Sequence, residues 1–234
     1  MTNFNDVVSQ FRIEGTVESV SPIGNGLINE TLRVKTVDAN TPDYILQRIN
    51  NAIFTDVDLL QHNIELVTDH IRHKLMEKGE TDIERKCLCF VQAKDGKTYY
   101  KDADNLYWRV SVFIPNAVTK EEVNPESAFC CGETFGNFQN MLVDLKEPLG
   151  ETIPDFHNME LRLRQLREAV SADKAGRVAS VKDMIAELES YADEMCLAER
   201  LYREGALPKR ICHCDTKVNN MMCDQAGNVL CVID

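Results

Sequence analysis

The feature that most constrains this sequence is a polar loop followed by an apolar hairpin within its last two dozen residues. The loop carries His213, Asp215, Lys217 and Asn220 in the order H-x-D-x-K-x-x-N. A turn-forming run, D-Q-A-G-N, then separates two short apolar runs, and the second of these leads to Asp234. Apolar runs on either side of such a turn predict two strands that fold back on each other.

The predicted hairpin returns Asp234 to the neighbourhood of Asn220, which lies fourteen positions earlier in the chain. An amide oxygen and a carboxylate oxygen are hard ligands. Mg²⁺ binds through few protein ligands of this kind, because it keeps water or phosphate oxygens in its coordination shell. The sequence therefore predicts that Asn220 and Asp234 together hold Mg²⁺.

The same loop carries the side chains that phosphoryl transfer from a nucleotide requires. The reaction needs a carboxylate that takes the proton of the acceptor hydroxyl, and a cation that offsets phosphate charge. Asp215 and Lys217 are of these types, at the offsets of the kinase catalytic loop. On these residues the chain resembles the protein-kinase-like superfamily, specifically its aminoglycoside phosphotransferase and choline kinase branch. The resemblance implies that Asp215 and Lys217 are catalytic and that the cofactors are ATP and Mg²⁺.

Cysteines close to the loop offer a competing interpretation. Cys212, Cys214, Cys223 and His213 all have side chains that bind zinc. Structural zinc sites usually show paired C-x-x-C spacing, which is missing here, and zinc would leave Asp215 unexplained. We therefore favour the phosphotransfer loop, in which the resemblance gives His213 a structural role.

Composition restricts the compartment and the partners. The net charge of -12 disfavours binding to nucleic acid or to anionic membranes. No apolar run is long enough to span a membrane, and nine cysteines without a framework spacing fit a reducing cytoplasm. We expect a cytoplasmic protein that binds a small molecule and neither nucleic acid nor membrane. Its oligomeric state stays open.

A glycine turn lies between the first two predicted strands, within residues 16–36. It contains Gly24 and Gly26, and the run from Gly26 through Asn29 to Thr31 reads G-x-x-N-x-T. This run resembles a motif of the phosphotransferase branch. The resemblance implies that Gly24, Gly26, Asn29 and Thr31 lie near the nucleotide phosphates, where small residues and exposed backbone N–H groups permit close approach.

The third predicted strand, residues 44–49, lies where the superfamily carries its phosphate-pairing lysine. This strand contains no lysine; Arg48 is the available cation, and Gln47 competes for the position. In the helix predicted next, over residues 55–79, Glu65 lies beside an apolar stripe. The resemblance implies that Arg48 pairs with the phosphates and that Glu65 is its partner. A surface arginine and a solvated glutamate remain the alternatives.

Strand patterns precede helical patterns along the chain, and helical spacing of apolar residues dominates from residue 126 onward. This order predicts an α+β fold with an N-terminal nucleotide-binding lobe, residues 1–115, and a helical C-terminal lobe, residues 116–234. The resemblance implies a bilobal protein-kinase-like fold. It also implies that the backbone around Phe113 and Ile114, where the lobes connect, recognises adenine.

Local similarity narrows the family further. The runs Y-I-L-Q-R-I-N and H-x-D-T-K-x-N-N resemble the N-acetylhexosamine 1-kinases, which phosphorylate the anomeric hydroxyl of N-acetylglucosamine or N-acetylgalactosamine. We therefore expect an ATP-dependent kinase of that hydroxyl. The alternatives are an aminoglycoside- or choline-type kinase, an inactive nucleotide-binding fragment or pseudokinase, and an interaction module. Because the sequence stops directly after a predicted strand, we also expect a C-terminally truncated kinase whose acceptor site is largely absent.

Overall fold

The computed structural model describes residues 3–24 and 29–234, and its largest element is an antiparallel sheet of six strands. Its strands are β1 (Val17–Pro22), β2 (Glu30–Thr36), β3 (Tyr44–Ile49), β4 (Phe90–Val91), β5 (Tyr100–Lys101) and β6 (Tyr107–Val112). They lie in the order β1-β2-β3-β6-β4, and β5 also pairs with β6. The first four helices are α1 (Phe4–Val8), α2 (Val57–Glu77), α3 (Ile83–Lys86) and α4 (Pro125–Met141). The predicted α+β class is confirmed.

Successive strand residues alternate between the two faces of the sheet, so cross-strand partners share a face. Leu32 on β2, Leu46 on β3 and Val110 on β6 are such partners, and all three are buried. Buried residues of α1 belong to the same core cluster. We call this side of the sheet the α1 face; apolar burial on it sets the register of the three strands.

The opposite side of the sheet carries a polar row. Thr31 on β2, Gln47 on β3 and Arg109 on β6 are cross-strand partners there. Helix α2 lies over this side, because the side-chain oxygen of its Gln61 is 3.5 Å from Nη1 of Arg109. We call this side the α2 face. The two faces of one sheet therefore hold an apolar core and a polar row.

The predicted C-terminal hairpin is confirmed. Strand β7 (Val118–Thr119) pairs with β8 (Met221–Cys223), which pairs with β9 (Val229–Val232), in a second antiparallel sheet. In the turn between β8 and β9, the carboxylate of Asp224 accepts hydrogen bonds from two backbone amides. This local capping fixes the turn and hence the direction in which β9 returns.

The chain divides into two compact units. The first consists of Met1–Thr152 and Asp215–Asp234, and it contains both sheets and helices α1 to α4; the second is Ile153–Cys214. The predicted lobe boundary, between residues 115 and 116, falls inside the first unit. It stays a prediction.

The second unit is helical and has few buried side chains. Its helices are α5 (Met159–Ala172), α6 (Lys182–Ser190), α7 (Ala192–Met195) and α8 (Leu197–Arg203). Exposed ion pairs connect Arg203 with Glu160 and Arg167 with Glu189, each at 2.6 Å. Pairs of this kind contribute little stability. Across the described parts of the chain, every helix is too short or too polar to cross a membrane.

Asp102 connects the turn before β6 to the buried Trp108, which is 1% exposed. Its Oδ2 accepts a hydrogen bond from Nε1 of Trp108 at 2.8 Å, and its Oδ1 accepts one from the amide of Leu106 at 2.9 Å. Asp102→Ala leaves the indole donor buried without an acceptor. We expect it to lower the free energy of unfolding by about 1–3 kcal/mol, measured by urea denaturation.

The matched control is Asp104→Ala, which removes an exposed carboxylate from the same turn. It is expected to stay within about 0.5 kcal/mol of the unsubstituted protein. Equal unfolding midpoints for the two variants would contradict a stabilising role for the bond to Trp108.

Candidate active site

The loop that carries Asp215 is held together by its own side chains. Nζ of Lys217 lies 2.6 Å from Oδ2 of Asp215. Nδ2 of Asn220 donates to the same oxygen and to the carbonyl of Asp215, at 3.0 Å each. A single 3-10 turn, Val218–Asn220, completes the loop. The structure thus brings three of the predicted residues together around one carboxylate.

The two predicted catalytic side chains are open to solvent, whereas Asn220 beneath them is buried. The side chains of Asp215 and Lys217 are 51% and 47% exposed, so a dissolved acceptor can reach the carboxylate. The hydrogen bond to Asp215 raises the pKa of Lys217, and the charge of Asp234 acts in the same direction. The ammonium group is therefore charged at neutral pH.

The hairpin places Asp234 next to the loop. The amide of Ile233 donates to the carbonyl of Asn220 at 3.0 Å, so the following residue lies beside Asn220. Nδ2 of Asn220 is engaged by Asp215, and its Oδ1 accepts no hydrogen bond from the described residues. A free amide oxygen and a neighbouring carboxylate fit the ligand preference of Mg²⁺. Across the residues that the structure describes, no group of three or more His, Cys, Asp or Glu side chains offers a larger metal site.

The predicted phosphate-loop residues lie at the ends of β1 and β2, except that Gly26 lies outside the described residues. Gly24 has φ +71°, and no described atom lies within 4 Å of the place where its Cβ would be. Oδ1 of Asn29 accepts a hydrogen bond from the backbone amide that follows β3 at 3.0 Å. Oγ1 of Thr31 accepts one from a β3 side chain at 3.1 Å. These bonds fasten the beginning of β2 to β3; phosphate contact by the four residues stays a prediction.

Arg48 does not lie where the phosphate-pairing cation was expected. It belongs to the row of Glu30 and Trp108 on the α1 face, and its Nε is 2.8 Å from Oε2 of Glu30. Glu65 lies on α2, across the sheet, and accepts a hydrogen bond from Thr98 at 2.6 Å. The structure therefore does not bring Arg48 and Glu65 together, because neighbouring strand residues point to opposite faces and, of the two candidates on β3, Gln47 is the one on the α2 face.

Arg109 on β6 is the cation that does lie on the α2 face, and it was not predicted from the sequence. Its Nε and Nη2 donate to Oε1 of Gln47 at 2.8 and 2.6 Å. Burial lowers the pKa of Arg109 to about 10, while the charge of Asp234 opposes this shift. The group stays protonated at neutral pH. A signal was present, since Arg109, between Trp108 and Val110, is a charged residue within a central strand whose other residues are uncharged.

The predicted adenine-binding segment follows β6 directly. The amide of Phe113 donates to the carbonyl of Asp43 at 2.9 Å, and the guanidinium of Arg33 lies 4.3 Å from the centre of the Phe113 ring. Ile114 is buried, and its amide has no hydrogen-bond partner among the described residues. Of these two amides, only that of Ile114 is thus available to a base. Adenine binding there stays a prediction.

Several solved structures have similar folds. An aminoglycoside phosphotransferase from Alicyclobacillus acidocaldarius has a TM-score of 0.55 at 19% identity, and the match covers 100% of this chain and 65% of that one. A spectinomycin phosphotransferase in complex with ADP and spectinomycin has 0.58 at 11% identity, with 100% and 68% covered. A microcompartment-associated aminopropanol kinase has 0.60 at 17% identity, with 99% and 67% covered.

At these identities the likeness concerns the fold, and it confirms the expected protein-kinase-like class. The chain spans about two thirds of the length of the solved structures that it matches. A comparison at the level of sequence families goes further. The model described as APH, phosphotransferase enzyme family, matches residues 19–234, a stretch that includes the glycine turn, the polar row, the loop and the hairpin. By this match over nearly its whole length, the chain belongs to the phosphotransferase enzyme family.

Proposed function

We propose that this chain carries the nucleotide-binding and catalytic residues of an ATP- and Mg²⁺-dependent phosphotransferase that acts on a small-molecule hydroxyl. The observation that carries the proposal is the loop of Asp215, Lys217 and Asn220 with Asp234 returned beside it. Family membership supports it. So do the ligands of similar proteins, since the spectinomycin phosphotransferase binds ADP and an amicoumacin kinase binds AMP-PNP with Ca²⁺.

In the proposed reaction the acceptor oxygen attacks the γ-phosphorus, the bond from that phosphorus to the β-phosphate oxygen breaks, and the hydroxyl proton passes to Asp215. Lys217 and Asn220 both contact Oδ2 of Asp215, so the carboxylate is oriented before an acceptor arrives. The charged ammonium of Lys217 also attracts the transferring phosphoryl group. Mg²⁺, which Asn220 and Asp234 would hold, offsets phosphate charge when it is bound.

We further propose that the acceptor is the anomeric hydroxyl of an N-acetylhexosamine. Asp215 can take a proton from any hydroxyl that is held in line with the γ-phosphate, so the loop defines the reaction class and leaves the substrate to the pocket. The support for a sugar is the resemblance of Y-I-L-Q-R-I-N, which includes β3, and of H-x-D-T-K-x-N-N in the loop to the N-acetylhexosamine 1-kinases.

A cationic acceptor is the second candidate. A net charge of -12 attracts cations, and the structures of similar fold include an aminoglycoside phosphotransferase and an aminopropanol kinase. A third possibility, an inactive protein that binds nucleotide, differs from both because it would bind ATP without turnover.

Asp215→Asn keeps the size of the side chain but removes its ability to take a proton. In the full natural protein we expect kcat to fall by about 10²–10⁴-fold, with little change in the dissociation constant for ATP. Steady-state kinetics and calorimetry measure the two quantities. The control Glu121→Gln neutralises an exposed carboxylate outside the loop and should leave kcat unchanged. Near-normal turnover by the Asp215 variant would remove the central assignment.

Asp234→Ala tests the proposed metal ligand. We expect ATP affinity to lose its dependence on Mg²⁺, because Asn220 alone is too poor a ligand to retain the ion. Calorimetric titration of ATP with Mg²⁺ and with EDTA measures this dependence, and Glu121→Ala is the control. The same Mg²⁺ enhancement in both variants would show that the hairpin does not supply a ligand.

The acceptor is identified by a substrate panel. The full natural protein with ATP and Mg²⁺ is mixed with N-acetylglucosamine, N-acetylgalactosamine, galactose, choline or kanamycin, and ADP release and the phosphorus resonance of the product are followed. We expect turnover with the two N-acetylhexosamines and a resonance of an anomeric phosphate. Turnover confined to choline or kanamycin would favour the cationic acceptor, and metal-dependent ATP binding without turnover would favour an inactive protein.

A further inference from the structure

A continuous set of hydrogen bonds crosses the α2 face through Arg109. Nε2 of Gln47 donates to Oγ1 of Thr31 at 3.1 Å, and Oε1 of Gln47 accepts from Nε and Nη2 of Arg109 at 2.8 and 2.6 Å. On the other side, Nη1 of Arg109 points to Oε1 of Gln61 at 3.5 Å. We call Thr31, Gln47, Arg109 and Gln61 the arginine row. It extends from the strand that follows the glycine turn to helix α2.

Beyond the arginine row, further hydrogen bonds connect Gln61 to Glu65, the glutamate that was expected to pair with a strand cation. Nε2 of Gln61 lies 3.0 Å from Oγ1 of Thr98, and this hydroxyl donates to Oε1 of Glu65 at 2.6 Å. Glu65 is thus linked to Arg109 through two neutral side chains. The link orients Gln61, and among the described residues no carboxylate is bonded directly to the guanidinium.

The bonding of Arg109 leaves both charge and donors for a ligand. A guanidinium has five N–H groups. Three of them are used here, by Gln47 and Gln61, so two have no partner among the described residues. Both partners are amides, which position the group but do not neutralise it. A half-buried cation in this state is favourable only if an anion or water satisfies the remaining donors.

The location of Arg109 indicates which anion this is. Thr31 of the arginine row follows the glycine turn, where phosphate contact is predicted. At the other side, Arg109 lies within the electrostatic reach of Asp234, the proposed metal ligand. A nucleotide whose phosphates extend from the glycine turn to a metal held by Asp234 would therefore pass Arg109 with its α- and β-phosphates.

We propose that Arg109 binds the α- and β-phosphates of the nucleotide, so that the phosphate-pairing cation of this protein comes from β6 and not from β3. This inference rests on the proposed nucleotide-dependent function. The planar fork of an arginine suits two phosphate oxygens. Gln47, which lies at the β3 position on the α2 face, acts as a positioning residue that holds the fork through Nε and Nη2.

The experiment compares the calorimetric dissociation constants of ATP, ADP and adenosine. Arg109→Gln is expected to weaken ATP and ADP by about 10- to 100-fold, the range expected for a lost charge-assisted contact, and to leave adenosine within about 2-fold. Circular dichroism checks that the variant is folded. The matched control is Arg12→Gln, an arginine whose bonds go to Gln92 and to the carbonyl of Lys94, and it should leave all three constants unchanged.

A second variant, Arg109→Lys, tests the proposed phosphate contact if Arg109→Gln does not fold. It keeps the charge but loses the fork, so the preference for ATP over adenosine should fall by about 3- to 10-fold. An unchanged preference in a folded variant, or an equal loss for ATP and adenosine, would overturn the proposal. Loss of the preference in Arg48→Gln but not in Arg109→Gln would return the role to β3. If the unsubstituted protein binds none of the three ligands, the proposed function itself fails.

Discussion

The register of β2, β3 and β6 governs both the core and the polar side of the candidate site. Leu32, Leu46 and Val110 bury their side chains together on the α1 face. The residue next to each of them along its strand must therefore point towards α2. A shift by one residue would exchange the faces and place Thr31, Gln47 and Arg109 in the apolar core. The cost of burying a charge there opposes the shift. Hydrophobic burial on one face thus determines where the cation lies on the other.

The loop of Asp215 is held by apolar packing of the residues that follow it and by polar contacts to the Asp215 carboxylate. Phe135 of α4 packs with Val218 and Met221, so the turn between loop and hairpin is anchored by buried apolar side chains. Lys217 and Asn220 hold the carboxylate of Asp215. The hairpin then adds the bond from Ile233 to Asn220, and this joins the end of β9 to the loop. Rigid support of this kind suits the proposed role of Asp215 as proton acceptor, because a carboxylate that is already oriented need not be reoriented in each turnover.

The chain as a whole is acidic, but two cations lie near the candidate site, where a nucleotide would need them. A net charge of -12 repels an anion at long range, although salt screens this repulsion beyond about 8 Å at physiological ionic strength. Local cations must therefore supply the attraction. Arg109 and Lys217 are both influenced by the charge of Asp234, and Lys217 also contacts Asp215, so two cations and two carboxylates lie in the same part of the first unit. A divalent metal at Asp234 would add to the positive charge there.

The sequence by itself determined the features that depend on near neighbours. Asp215, Lys217 and Asn220 lie within six positions of one another, and the D-Q-A-G-N turn forms a hairpin from its own hydrogen bonds, so their arrangement could be predicted. The order of strands and helices likewise gave the α+β class.

The sequence did not determine which side chains of β3 point towards α2. The run Y-I-L-Q-R-I is apolar on both faces, so periodicity does not show whether Gln47 or Arg48 points towards α2. Pairing with β6 decides this, and it brings Arg109 to Gln47 from 62 positions away. Only the tertiary structure fixes such a contact, because it forms when separate strands bury one common apolar face and their polar residues are left together on the other.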